Sequence, residues 1–88
     1  GIGICEDIRE CVTVDLKEAG NLLYLIGDTK KELGGSEYYK LRCVGGGIVP
    51  RTDPKVLKLS MVALLDTMKA GLVASCHDLS EGGLAVAV

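Results

Sequence analysis

CVTVDLKEAGNLLYLIG, residues 11–27, decides how the chain is read. Val12, Val14 and Leu16 fall on one face of an alternating run, with Cys11, Thr13 and Asp15 on the other, which is the pattern of a half-buried strand. Leu22, Leu23, Tyr24, Leu25 and Ile26 form a continuous apolar run closed by Gly27 and Asp28, the pattern of a more central strand. Lys17, Glu18, Ala19, Gly20 and Asn21 join the two, and Gly20 is free to take the left-handed turn position. The spacing predicts a β-hairpin over residues 11–26.

Downstream, Gly34-Gly35-Ser36 opens a short helix over 37–41, with the Ser36 hydroxyl placed to accept from an orphan backbone N–H. Gly45-Gly46-Gly47 ends that unit, and residues 48–51 are extended. Asp53 as N-cap and Pro54 at the first helical position start a helix over 54–69, which Gly71 stops. Leu57, Met61, Leu64, Leu65 and Met68 recur at helical spacing and form one apolar stripe. Residues 72–76 read as a third strand, 77–80 as its exit loop and 81–88 as the start of another helix. The expected fold is α+β, a mixed or antiparallel sheet with helices packed on one face. On that reading the stripe lies on the sheet, and Leu64→Ala costs about 2–5 kcal/mol if the site is fully buried. The apolar end over 84–88 carries no cap and reads as a helix cut short, so the domain is expected to continue beyond it. Exposed helix surface and an unpaired strand edge would then make the isolated chain self-associate.

Eighty-eight residues suffice for one small domain or part of one. A chain this short buries only about 60–65% of its unfolded surface and gains from a neighbouring domain or subunit. Three Tyr and no Trp or Phe leave any core to Leu, Val, Ile, Ala and Met. The net charge of −2 comes without a basic run, since the pair Lys30-Lys31 is followed at once by Glu32. Without clustered cations or stacking aromatics, nucleic-acid binding is not expected. No apolar run approaches the ~20 residues of a membrane span, and the amino-terminal residues lack the pattern of a signal peptide. The four cysteines, at 5, 11, 43 and 76, include no C-x-x-C pair, so zinc spacing is absent. An even count could make two disulfides in a secreted mini-protein, but nothing else looks secreted, and the four read better as reduced, mostly buried thiols of a cytoplasmic protein.

The richest chemistry lies in SCHDLSEGGL, residues 75–84. A strand end, His77, Asp78, Ser80, Glu81 and the pair Gly82-Gly83 meet within it. Backbone N–H groups after Ser80 can bind phosphate or carboxylate, and Asp78 with Glu81 can hold Mg²⁺ through its waters. The plainer alternative is that Ser80 only caps a helix, Gly82 and Gly83 only permit close packing, and His77 is an ordinary loop residue. A second cluster joins Gly27-Asp28-Thr29 to Gly34, Gly35, Ser36 and Glu37. It is no G-x-x-x-x-G-K-[ST] loop, and a simple capping loop is its plainer reading. Cys76 and His77 are neighbours on a predicted strand and so point to opposite faces, which gives no thiolate pair. No G-x-S-x-G elbow occurs.

LIGDTKKELGGSEYYK (residues 25–40), VPRTDPKVLKLSMVALLDTMKAGLV (49–73) and SCHDLSEGGLAVAV (75–88) together resemble the carboxy-terminal subdomain of the phosphoribosylformylglycinamidine synthase family, synthetase subunit. The resemblance covers nearly the whole chain. Its wider superfamily includes aminoimidazole ribonucleotide synthetase, selenophosphate synthetase, thiamine-monophosphate kinase and a hydrogenase maturation factor. The resemblance implies that residues 1–88 are part of one carboxy-terminal α+β subdomain, truncated at its end. It also implies a parent enzyme in which ATP, with Mg²⁺, activates the amide oxygen of formylglycinamide ribonucleotide as an iminophosphate. Ammonia from glutamine displaces that phosphate to give formylglycinamidine ribonucleotide. A glutaminase subunit and a small bridging subunit are the implied partners. The site residues implied are Asp78, Ser80, Gly82, Gly83 and His77, with Gly34, Gly35 and Ser36 as a second cluster and Asp78 as the metal ligand. Most ATP ligands of such enzymes come from amino-terminal subdomains, so the segment alone is expected to be inactive. The competing reading is a non-catalytic interaction domain of the same fold, or another ATP-using member of the superfamily.

Overall fold

Asp53 and Pro54 start the longest element, as their chemistry requires. The computed structural model describes residues 2–88. A 3₁₀ turn at Ile8–Glu10 is followed by three α-helices, α1 (Glu37–Leu41), α2 (Pro54–Lys69) and α3 (Leu84–Ala87). The Asp53 carboxylate accepts from the N–H groups of Lys55 at 2.8 Å and Val56 at 3.4 Å, satisfying two orphan donors of α2. Ser36 does the same for α1, accepting from the Tyr39 N–H at 3.2 Å.

Both of these helices end in the same six-residue motif. At the end of α2 the Gly71 N–H donates to the Met68 carbonyl at 2.9 Å and the Leu72 N–H to the Thr67 carbonyl at 3.1 Å, with Gly71 at φ 70°. At the end of α1 the Cys43 N–H donates to Lys40 at 3.1 Å and the Val44 N–H to Tyr39 at 2.9 Å. Here the left-handed position falls on a residue with a Cβ, Cys43, at φ 53°. That conformation costs an L-residue about 1–2 kcal/mol, partly offset in glycine by its larger entropy loss on folding. Cys43→Gly should therefore stabilise α1 by about 1 kcal/mol, seen as a higher thermal midpoint in far-UV circular dichroism. An unchanged or lower midpoint would show that the left-handed turn is not strained.

The sheet predicted from residues 11–27 does not form. Among the described residues there is no strand: residues 11–16, 22–26 and 72–76 form no ladder, and the chain bends at Val14, Asp15 and Ala74. Gly20 takes its left-handed conformation at φ 96°, but the segments on either side do not pair. One bond, from the Cys76 N–H to the Thr13 carbonyl at 3.2 Å, links the first and third expected strands. The physical reason lies in what a sheet needs. A two-stranded hairpin is marginal in water and holds only when an apolar face is covered. Here Leu22 to Ile26 remain between 48% and 81% exposed.

The packing of helices on one face fails with it, for among the described residues no two helices lie against each other as layers. Within the α2 stripe, Leu57, Met61 and Leu65 are exposed, and Leu64 and Met68 are half-buried. The loss expected for a fully buried Leu64 thus does not apply in this arrangement. The Cα radius of gyration is 15.7 Å, against about 12 Å for a compact chain of this length. The expectation of mostly buried thiols is corrected too: Cys5, Cys11 and Cys43 are exposed and Cys76 is half-buried.

What closure exists is made by backbone. Gly34 is the single buried residue among those described. Its N–H donates to the Ile48 carbonyl at 2.8 Å, and the Arg51 N–H reaches Glu32 Oε2 at 3.4 Å. These bonds fold the triple-glycine loop back against the start of α1. Near the amino-terminal end, Lys17 Nζ holds Asp15 Oδ1 at 2.5 Å and the Thr13 hydroxyl donates to the same carboxylate at 2.5 Å. Lys17 first, then Thr13, lowers the Asp15 carboxyl to about 2.

Candidate functional site

Residues 77–83 form a turn that leads into α3. The helix begins at Leu84, later than the sequence suggests, and its N-cap is Gly83 at φ 64°, with no side chain accepting from the first turn. Ser80 is therefore not the cap. Its carbonyl accepts from the Gly83 N–H at 3.1 Å, while the Gly83 carbonyl accepts from Val86 at 3.3 Å and Ala87 at 3.2 Å. Gly82 sits at φ 88°, and a Cβ built on it would lie 2.9 Å from Val86 Cβ and nearer still to a Val86 methyl. Gly82 thus serves close packing of the turn on α3.

The turn and the helix enclose a small cleft of about 230 Å³, lined by His77, Asp78, Ser80, Glu81, Gly83, Val86 and Ala87. Four of the eight expected site residues meet there: His77, Asp78, Ser80 and Gly83. Gly34, Gly35 and Ser36 do not line it, since they belong to the junction with Ile48 and the cap of α1. Val86 and Ala87 were missed in the sequence. The signal for them was the return of a helix over the Gly82-Gly83 turn three and four residues on, the spacing at which helical neighbours meet.

Polar groups in the cleft are exposed and lightly committed. His77 Nδ1 donates to the Asp78 carbonyl at 2.5 Å, which fixes the tautomer and leaves Nε2 free. The Asp78 carboxylate stands 3.5 Å from His77 Nδ1 and is 88% exposed. A four-residue helix sums few peptide dipoles, so α3 offers an anion little attraction, and the carboxylates of Asp78 and Glu81 in the same cleft repel one unless a cation stands between. Among the described residues no three of His, Cys, Asp and Glu gather as metal ligands. Asp78 and Glu81 do share the cleft, and paired carboxylates are the donor chemistry that Mg²⁺ would need. No helix is long and apolar enough to cross a membrane among the described residues.

Residues 18–88 match the family described as AIR synthase related protein, C-terminal domain, and the chain belongs to that family. Over 81 residues it is 41% identical to the phosphoribosylformylglycinamidine synthase subunit PurL of Thermococcus sibiricus, an alignment taking in 92% of this chain and 11% of that protein. The family resemblance carried by the three sequence motifs therefore holds. The chain spans a small part of that relative's length, and both glycine clusters lie inside the matched residues. No solved structure matches the chain.

Proposed function

We propose that the chain is part of the carboxy-terminal subdomain of a cytoplasmic, ATP-dependent ligase of purine biosynthesis. The reaction is conversion of formylglycinamide ribonucleotide, glutamine-derived ammonia and ATP to formylglycinamidine ribonucleotide, ADP and phosphate. The observation that carries this reading is the 41% identity to a synthase subunit over 92% of the chain. Catalysis belongs to the whole synthetase, whose glutaminase and small bridging subunits are the proposed partners. The exposed apolar residues of α2 and of residues 22–26 support a segment that is covered by neighbouring protein.

Within this segment the ligand-facing group is the turn His77, Asp78, Ser80 and Gly83, with Gly82 holding its shape. Bound Mg²⁺, held by Asp78 with Glu81 beside it, would shield phosphate charge. Asp78 alternatively accepts from a ribose hydroxyl. The Ser80 hydroxyl donates to a phosphate or sugar oxygen, and Nε2 of His77 offers a second polar contact at the mouth. Gly83 lets the ligand approach the backbone without a Cβ in the way. Gly34, Gly35 and Ser36 form the second proposed cluster, acting on a neighbouring part of the ligand. The test is Asp78→Asn in the full-length synthetase, read as turnover, substrate affinity and thermal midpoint together.

A further inference from the structure

The segment before residue 12 lies outside the matched family region and carries its own local order. Asp7 caps the 3₁₀ turn Ile8–Glu10, its carboxylate accepting from the Arg9 N–H at 2.9 Å and from the Arg9 guanidinium at 2.6 to 3.1 Å. The Glu10 N–H donates to the Asp7 carbonyl at 3.1 Å and the Cys11 N–H to the Ile8 carbonyl at 3.1 Å. These bonds turn the chain back on itself. Cys5 Sγ then stands 3.3 Å from Cys11 Sγ and donates to the Asp7 carbonyl at 3.2 Å. Both thiols are free and exposed. Among the described residues no third ligand joins them to make a metal site, and a structural zinc would want four.

We propose that Cys5 and Cys11 are a reversible dithiol–disulfide site, closed by a low-molecular-weight disulfide of the glutathione type. The sulfurs, 3.3 Å apart on exposed side chains, have little more than 1 Å to close to a bond of about 2.05 Å. Cys5 beside it pushes the Cys11 thiol up, which suits Cys11 to the second, resolving step. The Cys5 thiolate attacks one sulfur of the oxidant. That S–S bond breaks, a small thiolate leaves and takes up a proton, and a mixed disulfide remains on Cys5. Cys11 then gives up its proton and attacks Cys5 Sγ, and the second small thiolate leaves and is protonated. Two electrons pass from the cysteine pair to the oxidant, and two protons end on the two released thiols. Thr13, which accepts from Cys76 at 3.2 Å, lies just beyond Cys11. The ring thus closes beside a bond that ties this end of the chain to the residue preceding His77.

Treatment of the chain with oxidised glutathione, followed by acid quenching, alkylation and peptide mass mapping, tests the site. An intramolecular Cys5–Cys11 link should be the first product, with Cys43 and Cys76 as internal controls. The second step should run at least about tenfold faster than in concentrated guanidinium, because the turn holds the sulfurs together. Asp7→Ala, which removes the cap and the Arg9 partner, should slow it toward the denatured rate. Cys5→Ser should leave glutathione standing on Cys11. The proposal is overturned if glutathione persists on both cysteines, if links through Cys43, Cys76 or a second chain dominate, or if folded and denatured chains close at the same rate.

Discussion

Asp78→Asn in the full-length synthetase is expected to lower kcat/KM at least about tenfold, equivalent to ~1.4 kcal/mol of transition-state stabilisation, with no shift in thermal midpoint. The separation of the two readouts follows from the geometry. The Asp78 side chain is 88% exposed and, among the described residues, its carboxylate pairs with His77 alone, at 3.5 Å, so the folded state asks little of its charge. Exposed substitutions without partners usually stay within about 0.5 kcal/mol of neutral. A carboxylate that meets Mg²⁺ or a ribose hydroxyl loses its acceptor charge on becoming an amide, and the loss appears in turnover or affinity. If the turn is only a structural lead into α3, Asp78→Asn leaves the kinetics alone. Gly82→Val cannot make this distinction. With φ at 88° and Val86 Cβ 2.9 Å from any added Cβ, that substitution disturbs the turn itself.

Gly34→Ala is expected to destabilise the chain by about 2–3 kcal/mol, the upper range for forcing atoms into a filled site. A Cβ at residue 34 would lie 2.7 Å from the Gly47 carbonyl oxygen and 2.7 Å from the Ile48 carbonyl carbon. Backbone atoms cannot swing aside as a side-chain tip does. The loop must back away, and the 2.8 Å bond from the Gly34 N–H to Ile48 is lost with it. Gly45→Ala is the control, since nothing lies within 4 Å of a Cβ there. Denaturant unfolding should show a large drop in midpoint for the first variant and almost none for the second. Equal behaviour would mean that the junction of the triple-glycine loop with α1 does not hold the structure together.

The helices were legible because their signals are local. Asp53-Pro54, Ser36 and Gly71 each act on backbone groups within a few residues, and the ends they predict are the ends observed. The strands were not, because alternation over residues 11–16 and the apolar run over 22–26 state only which faces would be buried if a partner were present. Pairing depends on distant backbone, and among the described residues the Cys76–Thr13 bond is the one backbone hydrogen bond between these segments. The candidate turn was half legible. His77, Asp78, Ser80 and Gly83 come together as their closeness in sequence suggests, yet Ser80 looked like a cap, and the helix instead starts beyond Gly83. Gly34 and Ser36 carry a structural signal as well, for a backbone junction and a helix cap. The Cys5–Cys11 approach was hidden because it depends on a turn set by Asp7 and Arg9, which neither composition nor cysteine spacing displays.

The most direct measurement replaces the matching segment of the Thermococcus sibiricus PurL subunit with this chain and follows ATP-dependent synthesis of formylglycinamidine ribonucleotide from ammonium. If the segment belongs to such a synthetase, the chimera should keep activity within about tenfold of the unmodified subunit under the same conditions, a barrier change under ~1.4 kcal/mol. Asp78→Asn within it should then remove most of what remains. A chimera that folds, with a thermal midpoint near that of the unmodified subunit, but makes no product would contradict the assignment.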